Sequence, residues 1–302
     1  MNHQPLSNVA ASVRQRLLNK ARSEQRPFNE LLQHYAMERF LYRLSCSDHN
    51  ERFILKGALM LRVWHVTHYR PTLDIDMLGQ TSNDEDLLRS QMRDVLAINV
   101  PDDGLIFDAE RIITQPIAED ADYHGIRLRF PALLDTARIA MQIDIGFSDR
   151  VYPGPVEIEF PAMLDFPVAR LLGYNRESVV AEKFEAMLTL GELNSRMKDF
   201  FDIWLLSRHF DFDGQILSEA IRQTLDRRHT ALPDEITAFS ARFLLAKQVQ
   251  WRAFRKRLNQ EELPMEFSNV VGAIDTFLNP IVETLKKKSI FRARWDAPGP
   301  WG

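Results

Sequence analysis

The stretch Arg70-Pro71-Thr72-Leu73-Asp74-Ile75-Asp76-Met77-Leu78 decides how this chain folds. Its apolar residues read as a strand over Thr72–Leu78. Side chains two apart on a strand share a face. Asp74 and Asp76 therefore aim two carboxylates one way, while Leu73, Ile75 and Met77 aim the other. Two like charges side by side are costly unless a cation compensates them. Just upstream, FILKGALMLRVWHV (residues 53–66) reads as a short strand, a turn at Gly57 and a helix from Ala58 to Val66. Downstream, a helix is expected from Asn83 to Ile98, opened by a capping asparagine and acids. The pattern then changes to period two through Tyr123–Phe130, Ala137–Phe147 and Val156–Phe160. The second of these runs carries Asp144 in MQIDIGF. If its strand lies beside that of Asp74, three carboxylates converge. Oxygen-only ligands suit Mg²⁺ or Mn²⁺, and two such ions clamp an in-line phosphoryl displacement.

The flanks are helical. Ser7–Ser23 and Pro27–Leu44 have helical spacing, the second opened by a proline suited to a first turn. Arg176–Leu190, Lys198–Phe210, Asp213–Leu225, Asp234–Phe243, Lys247–Leu258 and Met265–Lys287 follow, then a tail, FRARWDAPGPWG, read as irregular. The expected fold is α+β: a small mixed sheet flanked by helices, then a helical C-terminal region. The boundary falls near Pro161–Asn175, giving domains of residues 1–165 and 166–302.

The formal charge is −4 over 302 residues, so any nucleic-acid contact comes from local basic patches. Such patches are Arg14, Arg16, Lys20 and Arg22; Arg252, Arg255, Lys256 and Arg257; and Lys286–Lys288 with Arg292 and Arg294. Each reads first as a solvated face, with phosphate contact as the alternative. One cysteine, Cys46, excludes an intrachain disulfide and a cysteine-based zinc site. His65 and His68 lack further partners for zinc. With no apolar run of about 18 residues and no apolar signal core, a cytoplasmic protein without a membrane span is expected. No GxxxxGK[ST] loop occurs.

The order FILKGALMLRVWH, RPTLDIDML, IDIGF, EKFEAMLTLGELNSRMKDFFDIW resembles the AbiEii/AbiGii nucleotidyltransferase toxins of the polymerase-β-like superfamily, from about Ser12 to Phe210. The family's lysine-glycine-small motif falls on Lys56, Gly57 and Ala58. Ala58 stands where many members have a second glycine or a serine, so it keeps the N–H and lacks a hydroxyl. The arginine, hydroxyl and DxD motif falls on Arg70, Thr72, Asp74 and Asp76, and the third carboxylate on Asp144. Lys183 matches the lysine of the glutamate-lysine pair, and Asp199 and Asp202 the closing acids.

The resemblance implies catalytic roles for Asp74, Asp76, Asp144 and Lys183, with the three aspartates as ligands of Mg²⁺ or Mn²⁺. It implies nucleotide contacts from Lys56, Gly57, Ala58, Arg70, Thr72, Lys183, Asp199 and Asp202. A glycine turn before a helix N-terminus suits phosphate. Arg70 reads equally as a surface ion pair. Asp199 and Asp202 either orient Lys183, bind nucleotide, or form a cap and an exposed acid. The implied activity is NMP transfer from an NTP, with pyrophosphate released. The implied acceptor is a tRNA 3′ end or other RNA, and the implied partner a cognate antitoxin protein. Transfer to a protein hydroxyl and a non-catalytic nucleotide-binding module are the alternatives.

Overall fold

The computed structural model describes residues 8–66, 70–120, 123–258 and 263–302. The chain forms two compact units. The first comprises Met1–Ser148 and Val156–Gly173; the second comprises Asp149–Pro155 and Tyr174–Gly302.

The first unit opens with helices α1 (Val9–Ser23) and α2 (Phe28–Ser45). The Asn8 side chain caps α1 by accepting from the Ala11 N–H at 2.9 Å, and Pro27 sits at the N-cap of α2. Strand β1 (Phe53–Lys56) runs into a 3₁₀ turn over Gly57–Leu59 and the four-residue helix α3 (Met60–Val63). That helix is shorter than its periodicity suggests. The chain leaves it at His65, which takes φ 53°. Strand β2 (Ile75–Gly79) and helix α4 (Glu85–Leu96) follow, the latter capped by Asp84. Then come β3 (Leu105–Phe107), β4 (Ile113–Asp120), β5 (Tyr123–Leu134), β6 (Ala137–Gly146), β7 (Val156–Phe160) and β8 (Ala169–Gly173).

These strands make one mixed sheet in the order β3-β5-β6-β2-β1-β8-β7, with β4 also paired to β5. The α+β architecture expected from the sequence is present. β2 runs parallel to β6 and antiparallel to β1, and β1 is parallel to β8. Strand alternation splits the sheet into two chemistries. One face carries Ile75, Met77, Leu128, Phe130, Met141 and Ile143, all at most 3% exposed, in a core shared with α1, α2 and α4. The other carries Asp76, Arg127, Arg129, Gln142 and Asp144, none of them buried.

Helix α2 sits inside this core and buries charge with it. Arg39 and Arg43 both grip Asp103, the latter through two bonds of 2.7 and 3.0 Å. Asp103 is 1% exposed, so the pairing answers the cost of burying its carboxylate.

The second unit is built from α5 (Arg176–Leu190), α6 (Met197–His209), the short strand β9 (Phe212–Asp213), α7 (Gly214–Arg227), α8 (Ala241–Leu258), α9 (Phe267–Lys286) and β10 (Arg294–Trp295). Its core is aromatic, with Phe200, Phe243 and Phe267 in mutual contact and Trp251 stacked on Phe267. The tail is ordered rather than irregular. β10 pairs with β9, and Trp295, 2% exposed, packs on Phe277 and donates to the Ser207 carbonyl. The helix expected over Asp234–Phe243 is only a 3₁₀ turn, Thr237–Phe239. Ser240 then caps α8, its hydroxyl accepting from the Phe243 N–H. No helix among the described residues is long and apolar enough to cross a membrane.

Candidate functional site

The strand carrying the second aspartate begins at Ile75, so Asp74 lies just before it and Leu73 is 66% exposed rather than inward-facing. The two carboxylates nonetheless converge. β2 and β6 are in parallel register with Asp76 opposite Asp144. Carboxylate oxygens of Asp74, Asp76 and Asp144 all lie within 4.8 Å of one another. All three side chains are half-buried on the open face of the sheet.

Three neighbours hold this cluster. The Thr72 hydroxyl donates to Asp74 Oδ1. Gly57, at φ +74°, lies against Asp76: a Cβ there would fall 2.1 Å from Asp76 Oδ2. The glycine is thus required twice, by its backbone conformation and by the carboxylate beside it. Lys56 is in register with Asp76 across the β1–β2 pair. Ala58, on the other side of the glycine, is buried in the middle of the turn into α3. Ala58, Arg70 and Thr72 line a small recess with Arg26 and Arg62.

Arg127 is the residue that sequence reasoning missed. It stands opposite Asp144 in the β5–β6 pair and grips it with two bonds, Nε to Oδ1 at 2.8 Å and Nη2 to Oδ2 at 2.7 Å. The bonds to Asp144, with the charges of Asp74 and Asp76 behind them, hold the guanidinium above its ordinary pKa. Arg127 therefore places one fixed positive charge on the cluster, directly at Asp144. Alternation in YHGIRLRF puts Arg127 and Arg129 on one face, but the register that sets Arg127 on Asp144 is not readable from either strand alone.

The remaining family positions lie in the second unit. Lys183 on α5 places Nζ 2.9 Å from Asp199 Oδ1 and 2.6 Å from Asp202 Oδ2, both on α6. Arg196 Nε lies 2.7 Å from Asp199 Oδ2. The aspartates are 0% and 1% exposed, so Asp202 is no exposed acid, and both pair with the lysine. Burial raises the Asp199 pKa, but Lys183 and Arg196 outweigh it and hold the carboxyl below its ordinary value. The basic residues singled out in sequence are largely engaged: Arg16 with Asp165, Lys20 with Glu24, Arg252 with Glu266 and Arg294 with Asp211 and Asp296. His68 lies outside the described residues.

The three carboxylates, two of them on the adjacent parallel strands β2 and β6 and the third just before β2, form a set of oxygen donors beside a glycine turn. The chain matches the family model described as "Nucleotidyl transferase AbiEii toxin, Type IV TA system" over residues 39–279. It belongs to that family. No curated protein matches it. Among solved structures it is similar to JHP933 from Helicobacter pylori, at 14% identity and a TM-score of 0.46, covering 86% of this chain and 94% of that one. It is also similar to a structure called "putative nucleotidyltransferase from H. pylori", at 14% identity and a TM-score of 0.48, covering 86% and 98%.

Proposed function

We propose that this chain is a metal-dependent nucleotidyltransferase toxin that transfers NMP from an NTP to the 3′ end of a tRNA. The observation that carries the reading is the convergence of Asp74, Asp76 and Asp144 within 4.8 Å beside Gly57. Three hard oxygen donors fit Mg²⁺ or Mn²⁺, and Arg127 pairs directly with one of them, Asp144. Bound divalent cations supply charge neutralisation at the triphosphate and lower the pKa of the attacking hydroxyl. Asp74 and Asp76 would hold them, with Thr72 orienting Asp74. Asp144 completes the set. The Gly57 turn lets backbone N–H groups approach phosphate. Lys183 carries the cationic role that the family motif implies. In the reaction the acceptor oxygen bonds to the α-phosphorus, the bond to the bridging oxygen breaks, and pyrophosphate leaves with that electron pair. The hydroxyl proton passes to Asp144 or solvent. A cytoplasmic location and a cognate antitoxin complete the reading.

The test mixes the protein with Mg²⁺, bulk tRNA and each labelled NTP in turn, beside an Asp74→Asn, Asp76→Asn control. The expected result is labelled tRNA and released pyrophosphate in the wild type alone. Label on protein bands that survives RNase would overturn the tRNA acceptor, and equal labelling in the control would overturn the carboxylate site.

A further inference from the structure

We infer that the open sheet face beside Asp74 is the acceptor track, and that it takes the single-stranded 3′ end of an RNA through Ile113, Arg129 and Gln142. This rests on the nucleotidyltransferase reading above and adds a place for its second substrate.

A cavity of about 620 Å³ opens directly from Asp74 onto β4, β5 and β6. That is ample for a nucleoside, since ligand pockets run from about 300 to 1,000 Å³. Its walls are fixed by sheet register. Ile113 stands opposite Arg129, and Arg129 opposite Gln142. Gln33 ties the two edges together from α2, its Nε2 donating to the carbonyls of Leu73 and Ala140 at 3.1 and 3.0 Å. The cavity is therefore built, with Leu73 and Ile113 as apolar surfaces that are 66% and 67% exposed.

The side of β2 on which it lies selects the occupant. The Gly57 turn, suited to phosphate, leaves β1 on one side of β2. The cavity lies on the other side, over β6 and β5. An in-line displacement sets nucleophile and leaving group on opposite sides of the phosphorus. With the triphosphate toward Gly57, the attacking hydroxyl comes from the cavity side.

The lining chemistry then names the acceptor class. Asp74 is the only acid in the wall, against Arg111 and Arg129. Arg111 pairs with Asp108 at 3.3 Å, but the hydrogen bond of Arg129 goes to neutral Gln142 at 3.1 Å. Among the described residues no carboxylate balances its charge. An uncompensated guanidinium flanked by exposed apolar side chains matches the phosphate and planar base of a single strand.

The experiment compares wild type, Arg129→Glu, Ile113→Glu and the Asp74→Asn, Asp76→Asn protein. One readout is the anisotropy of a fluorescent single-stranded RNA oligonucleotide with a free 3′-OH, in Mg²⁺ without NTP. The other is the KM for tRNA and for NTP in transfer. Expected is a tenfold or larger loss of oligonucleotide affinity and rise in tRNA KM for Arg129→Glu and Ile113→Glu, with NTP KM and melting temperature unchanged. Unchanged oligonucleotide affinity overturns the track, as does a rise confined to NTP KM. If wild type modifies RNA while both track variants behave like it, the track fails and the activity stands. If wild type binds RNA through Arg129 yet transfers nothing to it, the track stands and the activity fails.

Discussion

At the scale of single residues, the site is governed by what fits beside each carboxylate. Gly57→Ala would set a methyl group about 2 Å from the Asp76 oxygen while forcing a side chain into φ +74°. Neither strain can be relieved without moving Asp76, so the variant should lose transfer activity. It should also lose about 2 kcal/mol of stability, read as a melting temperature lower by roughly 5 °C. An unchanged melting temperature would show that the turn relaxes freely. A second residue sets a pH dependence of stability. Glu38 on α2 is 1% exposed and accepts one bond, from the Met163 N–H at 2.7 Å. Burial pushes its pKa from 4.5 to about 7, against the pull of that bond and of Arg39. A raised folded pKa gives stability that is full below the unfolded value of 4.5 and is lost as pH rises through 7. The loss should reach about 3 kcal/mol above pH 7. Glu38→Gln keeps the acceptor for Met163 and removes the ionisation. It should therefore match wild type in urea unfolding near pH 4.5 and exceed it at pH 8; equal stabilities at pH 8 would refute the argument.

At the scale of elements, the readable features were those carried by local pattern. The alternation of residues 137–147 and 156–160 gave β6 and β7, and the 3.6 period of Arg176–Leu190 gave α5. The features that escaped depend on partners distant in sequence. β8 is five residues held against β1 and β7, with no period of its own. β10 exists because Trp295 finds Phe277 and the Ser207 carbonyl. The same division holds in the candidate site. Asp74, Asp76 and Asp144 are legible because a carboxylate in an apolar strand is conspicuous. Arg127 is not, because an arginine on an exposed strand face is ordinary until its opposite number is known. The pairing of α5 with α6 is a third case, legible as spacing but not as burial. Lys183 is the cation shared by two fully buried aspartates. Lys183→Met should leave Asp202 without that cation and Asp199 with Arg196, at a cost of about 3–5 kcal/mol near pH 7. The lysine's contribution is present while the aspartates are ionised. It is lost as pH falls through the depressed folded pKa of Asp199, below 3.8. The gap between wild type and variant should accordingly narrow in acid, as followed by circular dichroism melts at pH 3 and 7. A constant gap would point to packing rather than charge.

At the scale of the whole molecule, the two units differ in what a divalent cation can do for them. The three-aspartate cluster lies wholly within the first unit, on β2 and β6 and the residue preceding β2. The second unit balances its buried carboxylates internally. Lys183 serves Asp199 and Asp202, and Arg228 serves Asp149 and Glu185. A ligand that binds only the folded cluster stabilises by an amount that grows with its concentration over Kd, about 2.7 kcal/mol at a hundredfold excess. Mg²⁺ should therefore raise amide protection in β1, β2 and β6 and leave α5 to α9 unaffected, as measured by hydrogen exchange with and without chelator. The Asp74→Asn, Asp76→Asn protein should show no such rise, since it retains one of the three carboxylates. Arg127→Ala separates charge from geometry in the same experiment. It removes a built-in cation from Asp144, so the variant should be less stable than wild type in chelator and gain more from Mg²⁺. If Arg127→Ala instead gains nothing from Mg²⁺, the arginine is needed to hold Asp144 in place for the ion. If Mg²⁺ protects both units equally in wild type, its stabilisation arises outside the aspartate cluster.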